Sequence, residues 1–98
     1  MKKAIMSCAV DNVAVALANI DAEEKVSLVL PSDEVVKEVA AKEGIPFRHK
    51  IATVAIGKGD KAIRYGEVIG LATEDIAEGG YVHIHNLVSP RFYNKKER

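Results

Sequence analysis

The chain has 98 residues, enough for one small domain with a modest core but too few to enclose a large active site. Its 14 basic and 14 acidic residues cancel without a long run of one sign, so neither nucleic acid nor an anionic membrane is expected as a partner. No stretch approaches the roughly 20 apolar residues of a membrane span. The single cysteine, Cys8, excludes an intramolecular disulfide and indicates a reducing compartment, so we expect a cytoplasmic protein.

The first thirty residues predict three short strands separated by turns. Residues 4–10 are mostly apolar and end at Asp11-Asn12, whose side chains favour a turn because they bond to nearby backbone groups. Further strands are expected over residues 13–17 and 26–30, where β-branched and aliphatic residues predominate. The first apolar run is short and lacks a signal-peptide cleavage site, so we expect the N-terminus to be retained.

The segment 32–44 predicts one inserted helix, over about residues 33–43. Ser32 is a residue type that caps helices, and Gly44 suits the position just past a helix end. Valines and an alanine supply an apolar stripe, and acids precede bases by four positions, which is the favourable order for helix ion pairs. The stripe consists of Val35, Val36, Val39 and Ala40. The expected ion pairs are Asp33–Lys37 and Glu38–Lys42.

Short strands and frequent turns resume after the predicted helix. Strands are expected over residues 49–56, 62–65 and 68–72, with turns at 57–60 and 66–67. This spacing predicts a mainly β, small barrel-like fold.

A weak internal repeat connects the two halves of the chain. Residues 16–20, followed by Val26 and Leu28, recur as residues 72–76, followed by Val82 and Ile84. Either β-hairpins of similar composition or a pseudo-symmetric fold of two related halves would produce this pattern.

The run Tyr81-Val82-His83-Ile84-His85-Asn86 alternates polar and apolar residues and therefore predicts a strand. His83 and His85 would share one face about 6.6 Å apart. Both imidazoles could then reach one substrate or one metal. A metal site needs a third or fourth ligand, and His49 is a candidate only if the fold returns it to this strand. The alternative is that both histidines are buried and hydrogen-bonded within the domain.

Other polar residues have both functional and structural interpretations. Gly57-Lys58-Gly59 lacks the spacing of a phosphate-binding loop and is interpreted as a turn. Tyr65 could place a phenol near a substrate or could simply pack at a strand end. Lys50, Lys58 and Lys61 could bind a carboxylate or could be solvated surface lysines. Residues 89–98 are polar and are interpreted as a tail or linker, in which Phe92 and Tyr93 could dock on a partner or fray.

Several motifs resemble the SAF domain found at the N-terminus of altronate and galactarate dehydratases. These motifs are His49-Lys50, Tyr65-Gly66, Val82-His83 and His85-Asn86-Leu87, and Asp11-Asn12-Val13-Ala14 resembles the first turn of the same family. The resemblance covers about residues 4–88 and implies a β-clip fold similar to type III antifreeze protein, with the domain at 1–88. The predicted helix at 32–44 departs from the family, which usually has a short loop there, and Lys58-Gly59 differs by one residue in turn register.

The resemblance implies a chemistry that this chain cannot complete alone. Such enzymes remove water from a sugar acid with iron or manganese, and most of the active site belongs to a large domain. Related lyases, including sulfolactate sulfo-lyase, encode the SAF module as a separate small chain. We therefore expect a large lyase subunit as partner, a small sugar acid as substrate, Fe²⁺ or Mn²⁺ held mainly by the partner, and a homo-oligomer as an open alternative.

Two hypotheses follow for the role of this chain. In the first, it is the small subunit or the N-terminal domain of a carbon–oxygen lyase, or alternatively the small subunit of a sulfolactate sulfo-lyase. It then supplies the catalytic groups His83 and His85, either of which could also ligate a metal together with partner residues. In the second, it is a non-catalytic module that binds a carbohydrate or a protein. Under the first hypothesis the substrate-binding candidates are Asp11, Asn12, Lys50, Lys58, Tyr65 and Asn86.

Overall fold

The computed structural model describes residues 1–89, and these residues form nine strands and no helix. The predicted docking residues Phe92 and Tyr93 lie outside the described part of the chain, so the tail at 89–98 and the domain boundary at 88 stay predictions. The strands are β1 (Lys2–Ile5), β2 (Val13–Ala16), β3 (Lys25–Val29), β4 (Val35–Ala40), β5 (Lys50–Ala52), β6 (Lys61–Arg64), β7 (Glu67–Ala72), β8 (Tyr81–Val82) and β9 (Leu87–Val88).

The strands form two sheets, one of six strands in the order β4-β3-β1-β2-β5-β8 and one of three in the order β6-β7-β9. Neighbouring strands are antiparallel except β1 and β3, which run parallel. The sheets curl into a half-barrel, which confirms the predicted mainly β, β-clip class of fold. Within residues 1–89 there is no helix long and apolar enough to cross a membrane.

Two hydrophobic clusters lie on opposite sides of the β2–β5 pair. Val13 pairs with Ala52, and both belong to one cluster, whereas Ala14 pairs with Ile51 and both belong to the other. Successive strand residues point to opposite faces, so β2 and β5 each contribute side chains to both clusters. All four side chains are almost completely buried.

The helix predicted within residues 32–44 is wrong, because this segment forms the second strand of the β3–β4 hairpin. Leu30 and Glu34 extend the pairing beyond the strand ends, because the Leu30 N–H donates to the Glu34 carbonyl oxygen at 2.9 Å, and a three-residue loop, 31–33, remains. In this loop the Asp33 N–H donates to the Leu30 carbonyl oxygen at 2.8 Å, and Asp33 has φ 72°. That geometry is typical of hairpin loops of this length. Pro31-Ser32-Asp33 therefore begins a hairpin turn and does not cap a helix.

The ion pairs expected within that helix are also absent from the described residues. Lys37 instead binds Glu78 at 2.7 Å, and Asp33 binds Lys3 at 3.0 Å. Both pairs join β4 and its loop to distant parts of the chain. The β-branched valines of β4 suit a strand at least as well as a helix, and pairing with β3 decided between the two.

The strand predicted over residues 81–86 is shorter than expected. β8 ends at Val82, residues 83–86 form a turn, and β9 begins at Leu87. Val82 pairs with Lys50 in the large sheet, whereas Leu87 pairs with Ala72 in the small sheet. The turn that carries His83 and His85 is therefore the point at which the chain crosses between the sheets.

A recurring loop unit accounts for the part of the internal repeat that contains Ile20 and Ile76. In each copy a buried isoleucine precedes a β-turn whose third residue has positive φ, as a type II turn requires. The isoleucines pair by reciprocal backbone hydrogen bonds, and the structure contains four copies of the unit where the sequence indicated two. The isoleucine pairs are Ile20 with Ile45 and Ile56 with Ile76, and the turn residues with positive φ are Glu23, Arg48, Gly59 and Gly79.

Candidate functional site

Asn86 holds the crossover turn in place. Its side-chain oxygen accepts the His83 N–H at 2.9 Å, and its amide nitrogen donates to the Tyr81 carbonyl oxygen at 2.8 Å. Asn86 is only 3% exposed, so both polar ends of its buried side chain are satisfied within the turn. The structure therefore gives this predicted substrate-binding residue a visible structural role.

Strand register brings a third histidine to the predicted pair. Lys50 pairs with Val82, and extending that antiparallel register by one position puts His49 opposite His83. The two imidazole centroids are 4.8 Å apart. The fold thus brings His49 next to His83. The sequence alone made His49 a candidate for the site only if the fold did so.

Tyr81 lies among the three imidazoles. Its ring stacks on His83 with centroids 5.6 Å apart, and its centroid is 5.5 Å from that of His85. Its hydroxyl forms a hydrogen bond with Nδ1 of His49. Tyr81 is partly buried against the core, and we refer to His49, Tyr81, His83 and His85 as the imidazole cluster.

The imidazole cluster favours a neutral His83. Partial desolvation lowers the pKa of His83, and the nearby charges of His49, Lys50 and His85 lower it further. A neutral imidazole has one free nitrogen lone pair that can accept a proton. His83 is therefore suited to act as a base near neutral pH.

An open groove of about 380 Å³ adjoins the cluster at His83. Lys50 and Arg64 bring two cations to this groove, and Ile69, Ile84 and Leu87 bring apolar surface. Partial burial lowers the pKa of Lys50, and the positive charge of Arg64 lowers it further. The groove thus places two cations beside a neutral imidazole, an arrangement that can bind an acid and accept a proton from it.

Asp11 and Asn12 lie at a different place, where they anchor the β6–β7 hairpin. The Asp11 carboxylate accepts the backbone N–H groups of Tyr65 and Gly66 at 3.0 and 2.9 Å. The Asn12 side chain accepts from the Ile63 N–H and donates to the Lys61 carbonyl oxygen. Both side chains thus hold the strand and turn that carry Arg64.

Tyr65 and Lys58 also lie apart from the imidazole cluster. Tyr65 is 65% exposed and stacks against Arg64, whose Cζ is 4.7 Å from the ring centroid. Lys58 is exposed on the 57–60 turn, where its backbone N–H donates to Asp75. Of the predicted substrate-binding residues, the structure places Lys50 alone in the groove beside His83.

The imidazole cluster by itself does not fit a metal site. Within residues 1–89 no group of three or more His, Cys, Asp or Glu side chains is arranged to hold a metal ion. Nδ1 of His49 is also engaged by the Tyr81 hydroxyl. A metal needs three protein ligands or more, so any iron or manganese would require ligands from outside this set.

Sequence reasoning missed two members of the site, Tyr81 and Arg64. Residues 81, 83 and 85 alternate along the same run, so the pattern that placed His83 and His85 on one face also predicts Tyr81 on that face. Arg64 reaches the groove through the pairing of β6 with β7, which no local pattern indicates.

Comparison with protein families gives a match over almost the whole chain. The sequence model described as the altronate/galactarate dehydratase SAF domain matches residues 2–90. Altronate dehydratase of Escherichia coli (strain K12) is 42% identical over 78 residues, which is 80% of this chain and 14% of that enzyme. Altronate dehydratase of Bacillus subtilis (strain 168) is 38% identical over 76 residues, again 14% of its length.

A second kind of relative is much shorter. The (2R)-sulfolactate sulfo-lyase subunit alpha of Paracoccus pantotrophus is 41% identical over 64 residues, which is 65% of this chain and 96% of that subunit. The chain therefore matches a small part of the dehydratases and nearly all of a lyase subunit.

Proposed function

This chain belongs to the altronate/galactarate dehydratase SAF domain family, and we propose that it serves as the small component of a sugar-acid lyase whose larger component completes the active site. Its relatives include dehydratases and a sulfo-lyase subunit, which supports a lyase role. The observation that carries the proposal is the position of His83 beside a groove that contains two cations, and the lowered pKa of His83 supports its use as a base.

Each group of the site has a role in the proposed reaction. Elimination of water or sulfite from a hydroxy acid requires a base that removes the proton next to the carboxylate. His83 is that base. His85 is exposed and is the second catalytic group, which faces the larger component in the assembled site. Tyr81 and His49 hold the His83 ring in place through stacking and their mutual hydrogen bond.

Cationic groups at the groove stabilise the negative charge that develops on the substrate carboxylate when the proton leaves. Lys50 pairs with Val82, the residue that precedes His83, and both Lys50 and the base His83 line the groove. If iron or manganese takes part, it supplies Lewis acidity from ligands that lie largely on the partner.

A partner is required because the site is open. Residues 1–89 do not enclose the groove, and Ile84, at the tip of the crossover turn, is 82% exposed. A larger subunit seated on Ile84 would cover the groove and exclude water from His83. The subunit designation of the sulfo-lyase relative supports this arrangement, and a cytoplasmic location remains our expectation.

The alternative proposal, a non-catalytic binding module, makes a different prediction for reconstitution. The chain is mixed with a large lyase component encoded beside it, and turnover of altronate, galactarate and sulfolactate is measured for the mixture and for each component alone. We expect turnover of one of these acids by the mixture and none by the small chain alone. A complex that forms without any turnover would favour the binding module, and turnover by the large component alone would contradict our proposal.

A further inference from the structure

Two cations at the groove have no visible counter-charge. The ion pairs found among residues 1–89 are Lys2–Glu24, Lys3–Asp33 and Lys37–Glu78, and none includes Lys50 or Arg64. The two side chains are close enough for Arg64 to lower the pKa of Lys50. Like charges held together on a partly buried surface repel each other, and a bound anion would relieve that repulsion.

Arg64 also contains an unused hydrogen-bond donor. Its Nε is buried and has no hydrogen-bond partner within residues 1–89, which is unusual because buried polar groups are nearly always paired. Nη2 donates one of its two N–H groups to the Tyr65 hydroxyl at 3.2 Å, so the guanidinium keeps further N–H groups for a ligand. The hydrogen bonding of this side chain is therefore incomplete among residues 1–89.

The surrounding structure fixes Arg64 before any ligand arrives. The guanidinium lies over the Tyr65 ring, and this contact is favourable for a cation. Tyr65 and Gly66 have φ values of 58° and 72°, as a two-residue type I′ hairpin turn requires, and both donate their backbone N–H groups to Asp11. Asp11 therefore anchors the turn that presents Arg64.

We propose that Arg64 and Lys50 together bind the carboxylate of a small hydroxy acid in the groove, with Arg64 as the residue that selects a carboxylate. This inference rests on the proposed function and specifies how its substrate is recognised. The planar guanidinium offers paired N–H groups that match a carboxylate, whereas Lys50 acts as a point charge. A volume of about 380 Å³ suits a small acid whose remaining carbons lie next to His83.

Titration of the full chain followed by NMR tests this proposal without a partner or turnover. L-tartrate is the probe, erythritol is the matched neutral polyol, and sulfate is a competing oxyanion, all at constant ionic strength. We expect tartrate to shift the backbone resonances of Lys50, Arg64 and His83 at saturable concentrations, erythritol to shift none of them, and sulfate to bind more weakly than tartrate.

Variants then assign the binding to Arg64. Arg64→Gln should weaken tartrate binding by about ten-fold, the loss expected for one charge-assisted contact. Arg64→Lys keeps the charge but loses the planar guanidinium with its paired N–H donors. Its affinity for tartrate should lie between those of wild type and Arg64→Gln. Lys61→Gln is the matched control, because this exposed lysine lies on the same strand and its loss changes the net charge equally. The dispersion of each spectrum shows whether the variant is folded.

Several results would overturn the proposal. They are no saturable binding of tartrate by the wild-type chain, equal binding of tartrate and erythritol, sulfate binding as tight as tartrate binding, and equal affinity in Arg64→Gln and Lys61→Gln. Each of these would leave the reconstitution experiment unaffected, because that experiment measures turnover by two components. Conversely, failed reconstitution would leave the titration result in place, so the two failures can be told apart.

Discussion

The carboxylate of Asp11 accepts a hydrogen bond from the backbone N–H of Gly66 at 2.9 Å and ties the first turn of the chain to the β6–β7 hairpin. Three backbone N–H groups and the Cys8 thiol donate to the same carboxylate in addition, the N–H groups being those of Ser7, Cys8 and Tyr65. Asp11 is 4% exposed, so these donors replace the water that the charge has lost.

Replacing Asp11 with Asn should lower the free energy of unfolding by about 2 kcal/mol or more, because the amide removes the charge and turns a donor toward N–H groups that need an acceptor. Urea denaturation at neutral pH measures this change. Asp21→Asn is the matched control, because Asp21 is exposed on a turn and its replacement should cost less than about 0.5 kcal/mol. Equal stability of the two variants would contradict the role assigned to Asp11.

The same carboxylate should make stability depend on pH in the acid range. Burial alone would raise the pKa of Asp11, but hydrogen bonds from Gly66, Cys8 and Tyr65 outweigh burial and hold the pKa below its ordinary value of 3.8. A pKa that is depressed in the folded state contributes stability above the unfolded pKa, and that stability is lost as pH falls through the folded pKa.

We therefore expect the stability difference between wild type and Asp11→Asn to be full at neutral pH and to shrink as the pH falls below about 4. Urea denaturation of both proteins across this range measures the difference. A difference that is constant from neutral to strongly acidic pH would show that the charge of Asp11 plays no part.

Gly79 lies at a position where the fold leaves no room for a side chain. It has φ 84°, and a Cβ added there would lie 2.1 Å from the Ala40 carbonyl oxygen. Gly79→Ala should therefore cost about 3 kcal/mol or more, through both backbone strain and the clash. Gly44→Ala is the control, because its added Cβ would lie 3.7 Å from the nearest backbone atom and its φ is not positive. Thermal unfolding of the pair measures both effects, and similar melting temperatures would disprove the close approach of the Gly79 turn to β4.

The sequence predicted the class of fold because its turns are frequent and its strands are short and rich in β-branched residues. It failed at residues 33–43, where acid–base spacing and an apolar stripe satisfied a helix as well as a strand. Nothing local distinguishes the two, because the strand is stabilised by pairing with β3 and by the Lys37–Glu78 ion pair across the fold. Tertiary pairing outweighed local pattern at this segment.

The site, like the fold, could be predicted only in part from the sequence. His83 and His85 were identified by alternation, although they lie on a turn, and the nearness of His49 follows from the β5–β8 register, which the sequence does not contain. Asp11 was singled out as a polar turn residue, but its hydrogen bonds to Tyr65 and Gly66 depend on contacts across the whole chain. Residue types were therefore visible in the sequence, whereas their assignment to groove or scaffold required the fold.

We expect the imidazole cluster to supply catalytic groups to a two-component lyase. His83→Ala and His85→Ala, singly and together, should leave the chain folded with a melting temperature close to that of wild type, because neither side chain belongs to the hydrophobic clusters. His83→Ala should lower kcat of the reconstituted enzyme by roughly 10²-fold, the usual contribution of one acid–base group.

The most direct test measures kcat and melting temperature together for the reconstituted His83→Ala/His85→Ala double variant. We expect a melting temperature near that of wild type and a loss of turnover of roughly 10²-fold or more. Wild-type turnover in the stably folded double variant would contradict the catalytic role of these histidines.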